Sequence, residues 1–193
     1  MLERLRPLFS PSSVAVVGAS RREGTIGNEI FRNLLRCGFT GAVYPVHPTA
    51  RSVAGVRAWP SLAALPEPAE LVVVVVPSDR VLAVAQECAD NQVQAIVVIT
   101  AGFREIGGLG AERERALVQL VRDAGIRLVG PNCLGVINTA PEVRLNATFA
   151  PAWPHHGRVG FLSQSGALGV AILDHSQRLG IGVSSFVSVG NRA

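Results

Sequence analysis

A chain of 193 residues, 48% of them hydrophobic, is long enough for one large domain or for one domain plus part of another, and has ample apolar material for a core. The net charge is +4 and all 18 basic residues are arginine; with no basic run and no cluster of stacking aromatics, this composition speaks against a nucleic-acid binder. The longest apolar run, Leu71 to Val76, is too short to span a membrane, and the first residues lack the apolar region of a signal peptide. Cys37, Cys88 and Cys133 are odd in number and have no ligand spacing, which fits reduced thiols in a cytoplasmic protein better than disulfides or a metal site.

In chain order, residues 1–12 read as a lead-in whose Leu2, Leu5, Leu8 and Phe9 can cover a sheet edge. Val14 to Val17 is a run of apolar residues, the mark of a parallel strand buried on both faces. Gly18 stops it. A polar loop with Ser20, Arg21, Arg22, Gly24 and Thr25 follows, and Ile26, Ile30, Phe31, Leu34 and Leu35 recur at helical spacing up to Cys37-Gly38. The second strand is Ala42 to Val46, turned by His47-Pro48. Residues 49–60 form an irregular link and 61–66 one helical turn stopped by proline. Leu71 to Val76 is the central strand, with Ser78 or Asp79 capping a helix to about Asn91. Ala95 to Ile99 is the next strand, 104–110 a glycine-rich loop, Glu112 to Ala124 a helix, and Arg127 to Val129 the fifth strand.

The texture changes near residue 138. Residues 138–157 hold three prolines, Trp153 and the exposed pair His155-His156, and read as a connection. A strand over Arg158 to Leu162, an N-cap at Ser163, a helix over Ala167 to Leu179 and a strand over Gly182 to Val189 complete the chain. The predicted division is a first domain over 1–137, a linker over 138–157 and an incomplete second domain over 158–193. Two strands and one helix would expose apolar edges, so either a partner covers them or the chain is a piece of a longer protein.

A strand, a glycine loop and a helix start aim backbone N–H groups and a positive helix end at an anion, and two arginines in the loop add phosphate partners. An ordinary strand-to-helix turn is the plain alternative. The loop Gly18-Ala-Ser-Arg-Arg-Glu-Gly24-Thr-Ile-Gly27 does not fit Gly-x-Gly-x-x-Gly, and no acid follows the second strand until Glu67, so a nicotinamide site is disfavoured. A chain without lysine cannot carry a Walker loop. All five strand ends run into turns rich in Gly, Pro, Ser, Thr or Asn, and in an open parallel sheet the ligand crevice lies beyond those ends.

Val16-Val-Gly-Ala-Ser20, Pro45-Val-His-Pro48, Leu128-Val-Gly-Pro-Asn-Cys-Leu-Gly135 and Gly157-Arg-Val-Gly-Phe-Leu-Ser-Gln-Ser-Gly-Ala-Leu-Gly169 resemble the CoA-binding and succinyl-CoA-ligase-like domains of NDP-forming acyl-CoA synthetases, of which ADP-forming acetate–CoA ligase is the best-known member. The last two motifs, in this order, are the specific ones, and the resemblance covers nearly the whole chain. It implies an α/β fold: a Rossmann-like CoA-binding domain with a parallel sheet, then the first part of a flavodoxin-like succinyl-CoA-ligase domain. It implies that Gly18, Ala19, Ser20, Arg21, Gly24 and Thr25 hold the CoA phosphates. Pro48 would border the nucleotide, Val76 and Pro77 would pack against it, and Thr100, Ala101, Gly102 and Asn132 would face the pantetheine and thiol. Ser165 and Gly166 match a helix start that holds a phosphate near a phosphorylated histidine; a simple N-cap is the plain alternative.

The family reaction turns acyl-CoA, phosphate and ADP into acid, CoA and ATP through that phosphohistidine. His47, His155, His156 and His175 do not match its position, and no ATP-grasp segment is present, so the chain alone is expected to bind CoA (or acyl-CoA) without a metal and to turn over nothing. An ATP-grasp domain or subunit and a homo-oligomeric assembly are the implied partners. Two further readings share the motifs: a regulatory module of a bacterial protein lysine acetyltransferase, and a stand-alone CoA sensor.

Overall fold

The computed structural model describes residues 2–193. A short helix, α1 (Arg6–Phe9), leads into β1 (Ser13–Val17), α2 (Ile26–Arg36) and β2 (Ala42–Val46). A small hairpin, β3 (Ser52–Val53) with β4 (Val56–Arg57), precedes β5 (Leu71–Val74), α3 (Val81–Asp90), β6 (Ala95–Val98), α4 (Gly108–Asp123) and β7 (Arg127–Val129). Then come β8 (Gly135–Asn138), β9 (Leu145–Thr148), β10 (His156–Ser163), α5 (Gly166–Arg178) and β11 (Val183–Ser188).

The parallel sheet that the apolar runs predict forms in the order β2-β1-β5-β6-β7. Alternate residues of its strands feed two cores. Val14, Val16, Leu71, Val73 and Val97 meet Ile30, Phe31 and Leu34 of α2 on one face. Ala15, Val17, Val72, Val74 and Ile96 meet Val81, Val84 and Cys88 of α3 and Leu117 and Val121 of α4 on the other. Burial on both faces is why β1, β5 and β6 read as continuous apolar runs.

A second sheet has the order β10-β11-β8-β9; β10 and β11 are parallel, and β11, β8 and β9 run antiparallel in turn. Residues 138–157, read from their prolines as an irregular connection, thus contain a fully buried strand, β9. Its Leu145-Asn-Ala-Thr148 is too short and too polar for a clear period, and burial comes from α2 lying against it. Asn33 of α2, itself buried, donates to the carbonyls of Thr148 and Ala150, both at 2.9 Å. Strands β8 and β9 therefore complete what two strands and a helix cannot, and α2 is shared between the two sheets. The outer edge, β10, stays exposed, as do Leu162, Leu168 and Leu179 nearby.

Four local expectations differ from what forms. The turn at 61–66 makes no helix, only a Leu65 N–H to Leu62 carbonyl bond. Residues 49–60 are not irregular throughout but carry the β3–β4 hairpin, with the Arg57 guanidinium stacked 4.4 Å over Trp59. Neither Ser78 nor Asp79 caps α3; both sit in a 3-10 turn, Ser78–Arg80, that leads into it. Helix α4 starts at Gly108 rather than Glu112. Gly110 allows this, because a Cβ there would lie 2.0 Å from the Phe103 carbonyl oxygen, so packing decides against the poor helix propensity of glycine.

Candidate functional site

The strand order places the reversal of the sheet between β1 and β5, since the chain runs one way to β2 and the other way to β6 and β7. A crevice opens at such a switch point. Gly18, at the end of β1, has φ +95°, and a Cβ on it would lie 2.3 Å from the carbonyl oxygen of Val75, just past β5. Gly27, in the first turn of α2, has the Gly18 carbonyl oxygen 2.1 Å from where its Cβ would be. Both glycines are needed for the helix start to press against the strand end, the role glycine plays in phosphate-binding turns generally.

The loop between them is braced from behind. Asn28 on α2 donates to the Ser20 carbonyl at 2.7 Å and accepts from Arg32 Nε at 3.0 Å; Arg32 in turn pairs with Glu23 at 2.6 Å. Ser20 Oγ accepts from the Arg22 N–H at 3.0 Å, and the Thr25 hydroxyl donates to the Arg22 carbonyl at 2.8 Å. Thr25 is the N-cap residue of α2 but makes no side-chain cap bond, so its hydroxyl leaves the first helical N–H groups unblocked. Arg21, Arg22 and Gly24 are exposed, and Ala19 is buried in the core and offers only backbone. Asn28 and Arg32 were not singled out in the sequence; their i, i+4 spacing is the one signal that could have found them.

The ends of β5, β6 and β7 are linked in series. The Thr100 hydroxyl donates to the Val76 carbonyl at 2.7 Å, and the Asn132 N–H donates to the Thr100 carbonyl at 3.0 Å. Above them lies a cavity of about 640 Å³, whose walls include Ile26 from the start of α2, Val76, Thr100, Ala101 and Asn132 from the turns after β5, β6 and β7, and Gly166, Ala167 and Val170 from the start of α5. Its size suits a cofactor-sized ligand. Five of the expected residues, Val76, Thr100, Ala101, Asn132 and Gly166, are brought together on it. The β1–α2 loop adjoins it through Ile26. Pro48 is exposed on the loop after β2, where His47 Nδ1 accepts from the N–H groups of Thr49 and Ala50 at 3.2 and 3.0 Å. Pro77, Gly102 and Ser165 flank the cavity's lining residues in sequence without lining it. Sequence reasoning missed its apolar wall, above all Phe149 and Leu134, because single apolar residues in loops carry no periodic signal. A larger hollow of about 890 Å³ lies at the other end of the sheet, beside Gln94 and Arg127, and none of the expected site residues lines it.

On α5 the N-cap is Ser165, whose Oγ accepts from the Leu168 N–H at 3.3 Å. Ser163, the expected cap, is the last residue of β10; it is buried, and its hydroxyl donates to the Ser165 carbonyl at 2.9 Å. The cap moved because β10 runs further than its apolar residues indicated. His155, His156 and His175 are exposed. Among the described residues, no group of three or more His, Cys, Asp or Glu side chains is placed to hold a metal ion, and no helix is long and apolar enough to cross a membrane.

All three cysteines are free and buried. Cys133 lines the cavity and donates to the Val98 carbonyl at 3.2 Å; burial pushes its thiol up to about 12. Burial also raises Cys88 and Cys37. A thiol with a raised pKa stays protonated at neutral pH and is a poor nucleophile. Native protein at pH 8 is therefore expected to react slowly with a chromogenic disulfide reagent, and to release three equivalents of thiol after unfolding. One fast equivalent in the native state would contradict this environment for the cysteines.

Comparison with known proteins bears on the same residues. The family described as a CoA binding domain matches residues 12–139, and that described as a succinyl-CoA ligase like flavodoxin domain matches 156–193. Acetate–CoA ligase [ADP-forming] I of Archaeoglobus fulgidus is 48% identical over 96% of this chain and 27% of its own length. Acetate–CoA ligase [ADP-forming] II subunit alpha of Pyrococcus furiosus is 42% identical over 96% of this chain and 40% of its own. The chain thus spans well under half the length of these relatives. Among solved structures, the dinucleotide-forming acetyl-coenzyme A synthetase 1 of Candidatus Korarchaeum cryptofilum, in complex with phosphate and ADP, superimposes with a TM-score of 0.93 at 46% identity, over 97% of this chain and 40% of that one. With two thirds of its residues matched and the glycine turns at the switch point, the chain belongs to the CoA-binding domain family, joined to sequence of the succinyl-CoA-ligase-like flavodoxin domain.

Proposed function

We propose that this chain is the CoA-binding portion of an ADP-forming acyl-CoA synthetase of the acetate–CoA ligase type. The observation that carries the reading is the braced, arginine-bearing glycine loop opening onto a cavity at the switch point of the sheet. CoA carries a diphosphate and a 3′-phosphate on one end and a long, thin thiol arm on the other. Gly18, Ser20, Gly24 and Thr25 would supply backbone and hydroxyl donors to the phosphates, and Ala19 backbone alone. Arg21 and Arg22, which make no ion pair among the described residues, are the cations beside them. Pro48, Val76 and Pro77 would border the nucleotide. Thr100, Ala101, Gly102 and Asn132 would lie along the thiol arm, which ends toward the start of α5. There the N-terminal N–H groups next to Ser165 and Gly166 favour a phosphate.

The matched ranges support a division between a CoA-holding unit over residues 1–137 and a ligase-like unit from 158, tied together through β9. In the whole protein, acyl-CoA, phosphate and ADP would give acid, CoA and ATP. A partner domain or subunit is supported by relatives that are named as alpha subunits; that this partner is an ATP-grasp unit, that the assembly is a homo-oligomer and that it is cytoplasmic belong to the same proposal.

Calorimetric titration of the chain with CoA tests it, with dephospho-CoA, ADP and NAD as controls. CoA is expected to bind in the micromolar range, and Arg21→Ala with Arg22→Ala is expected to weaken it by about 1.5–3 kcal/mol, the usual range for hydrogen bonds to charged groups. Folded protein that ignores millimolar CoA, or that prefers NAD, overturns the proposal.

A further inference from the structure

Asn191 follows β11 on the ligase-like side of the molecule, yet nearly all its bonds reach the other side. It is 7% exposed. Its Nδ2 donates to Glu105 Oε2 and to Glu114 Oε2, each at 2.7 Å, and its Oδ1 accepts from Asn132 Nδ2 at 3.4 Å. Its main-chain N–H donates to the Pro131 carbonyl at 2.9 Å, and its carbonyl accepts from the Arg104 guanidinium.

Of these partners Asn132 lines the cavity, and Glu105 and Pro131 belong to the two turns that carry its Ala101 and Asn132. Glu105 Oε1 accepts from the N–H groups of Gly102 and Phe103 at 2.5 and 3.1 Å, so it fixes the turn after β6. Burial works to raise the Glu105 carboxyl, but the bonds from Asn191, Gly102 and Phe103 outweigh it and hold the group below its ordinary value. Pro131 and Asn132 form the turn after β7. Glu114, 5% exposed on α4, pairs with Arg104 Nε at 3.3 Å and closes the cluster from below. An amide suits this place: its two N–H groups serve two carboxylates while its oxygen serves Asn132. Aspartate would set a third carboxylate against the first two, and an apolar side chain would leave a buried carboxylate short of a donor.

We infer that Asn191 is a positioning residue for ligand binding: it locks the turns at Gly102 and Asn132 together and so sets the width of the groove where the thiol arm of CoA would run. The inference rests on the CoA reading above and adds to it that the ligase-like side shapes the CoA-binding side. Its signature is selective. The lock lies away from the glycine loop that would take the phosphates, so loosening it should affect the arm and spare the nucleotide.

The experiment titrates the full chain and its Asn191→Ala variant with CoA and with adenosine 3′,5′-bisphosphate, which has the nucleotide half alone. Thermal unfolding of both proteins runs alongside. Asn191→Ala is expected to weaken CoA about tenfold, the scale of a lost hydrogen bond to a charged group, and to leave adenosine 3′,5′-bisphosphate unchanged. If Asn191→Ala fails to fold, Glu105→Gln keeps the shape, removes one of the acceptors of the lock and should give the same selective loss. Equal losses for both ligands, or no loss for either, would reduce Asn191 to a structural residue and overturn the inference. Wild-type protein that binds neither ligand would overturn the CoA reading itself, a result distinct from the first.

Discussion

Gly27→Ala is expected to destabilise the fold by about 2–3 kcal/mol and to lower CoA affinity at least tenfold, on the scale of overpacking a well-filled site. Propensity argues the other way, because alanine in a helix is favoured over glycine by about 1 kcal/mol. The contact decides the sign. The added Cβ would sit 2.1 Å from the Gly18 carbonyl oxygen and 3.0 Å from its carbon, and neither is a side-chain atom that can swing aside. Relief requires α2 to lift away from β1 or the Gly18 peptide to turn. The first strains the Asn33 bonds to Thr148 and Ala150, and the second takes the Ala19 N–H, which shares that peptide plane, from the Val16 carbonyl 3.4 Å away. Both move the first-turn N–H groups from the loop they face. Gly24→Ala is the control: φ is +75° there but nothing lies within 4 Å of the new Cβ, so only the left-handed backbone penalty of about 1–2 kcal/mol applies. Urea unfolding and CoA titration of the two variants separate the cases, and wild-type behaviour of Gly27→Ala would show that the strand and helix are not in close contact.

Phe31→Ala is expected to remove about 3–5 kcal/mol, the range for emptying a buried aromatic site, from a total that for most domains is only about 5–15 kcal/mol. Phe31 is fully buried on α2, in the core shared by Val14, Val16 and Leu34 with Leu145 and Ala147 of β9. Its removal opens a space between two sheets, each held in place by other contacts, so the site cannot collapse cheaply. Phe31→Leu keeps most of the volume and should lose about 1–1.5 kcal/mol. Denaturant unfolding measures both, and a loss under about 1 kcal/mol for alanine would mean that α2 packs loosely against the second sheet.

The sequence was most legible where burial is two-sided. Val14 to Val17, Leu71 to Val74 and Ala95 to Val98 announce themselves as central strands because both of their faces are covered, although the apolar run to Val76 made β5 read two residues too long, and the first strand–loop–helix unit was readable from Gly18 and the spacing of Ile30, Phe31 and Leu34. Strand β9 was not readable. Its Asn146 and Thr148 are buried, but they satisfy each other through a 2.7 Å bond, and such pairing leaves no trace in a hydropathy pattern. The site divides likewise. Residues at strand ends, such as Val76, Thr100 and Asn132, could be placed by topology alone. Phe149, Leu134 and Asn191 could not, because their positions depend on how the second sheet meets the first.

Helix α2 touches the glycine loop with its first turn and the second sheet with its flank. It has 11 residues, a rod about 16 Å long at the usual helical rise, and Asn33 pins it to the carbonyls after β9. A rod fixed at both places leaves the two halves of the molecule little freedom to hinge about one another at that seam. The walls of the cavity are accordingly set before any ligand arrives. A flexible ligand such as CoA would then lose its own conformational freedom on entry without adding that of two swinging domains, and pre-organisation of this kind is a general route to affinity from a modest number of contacts.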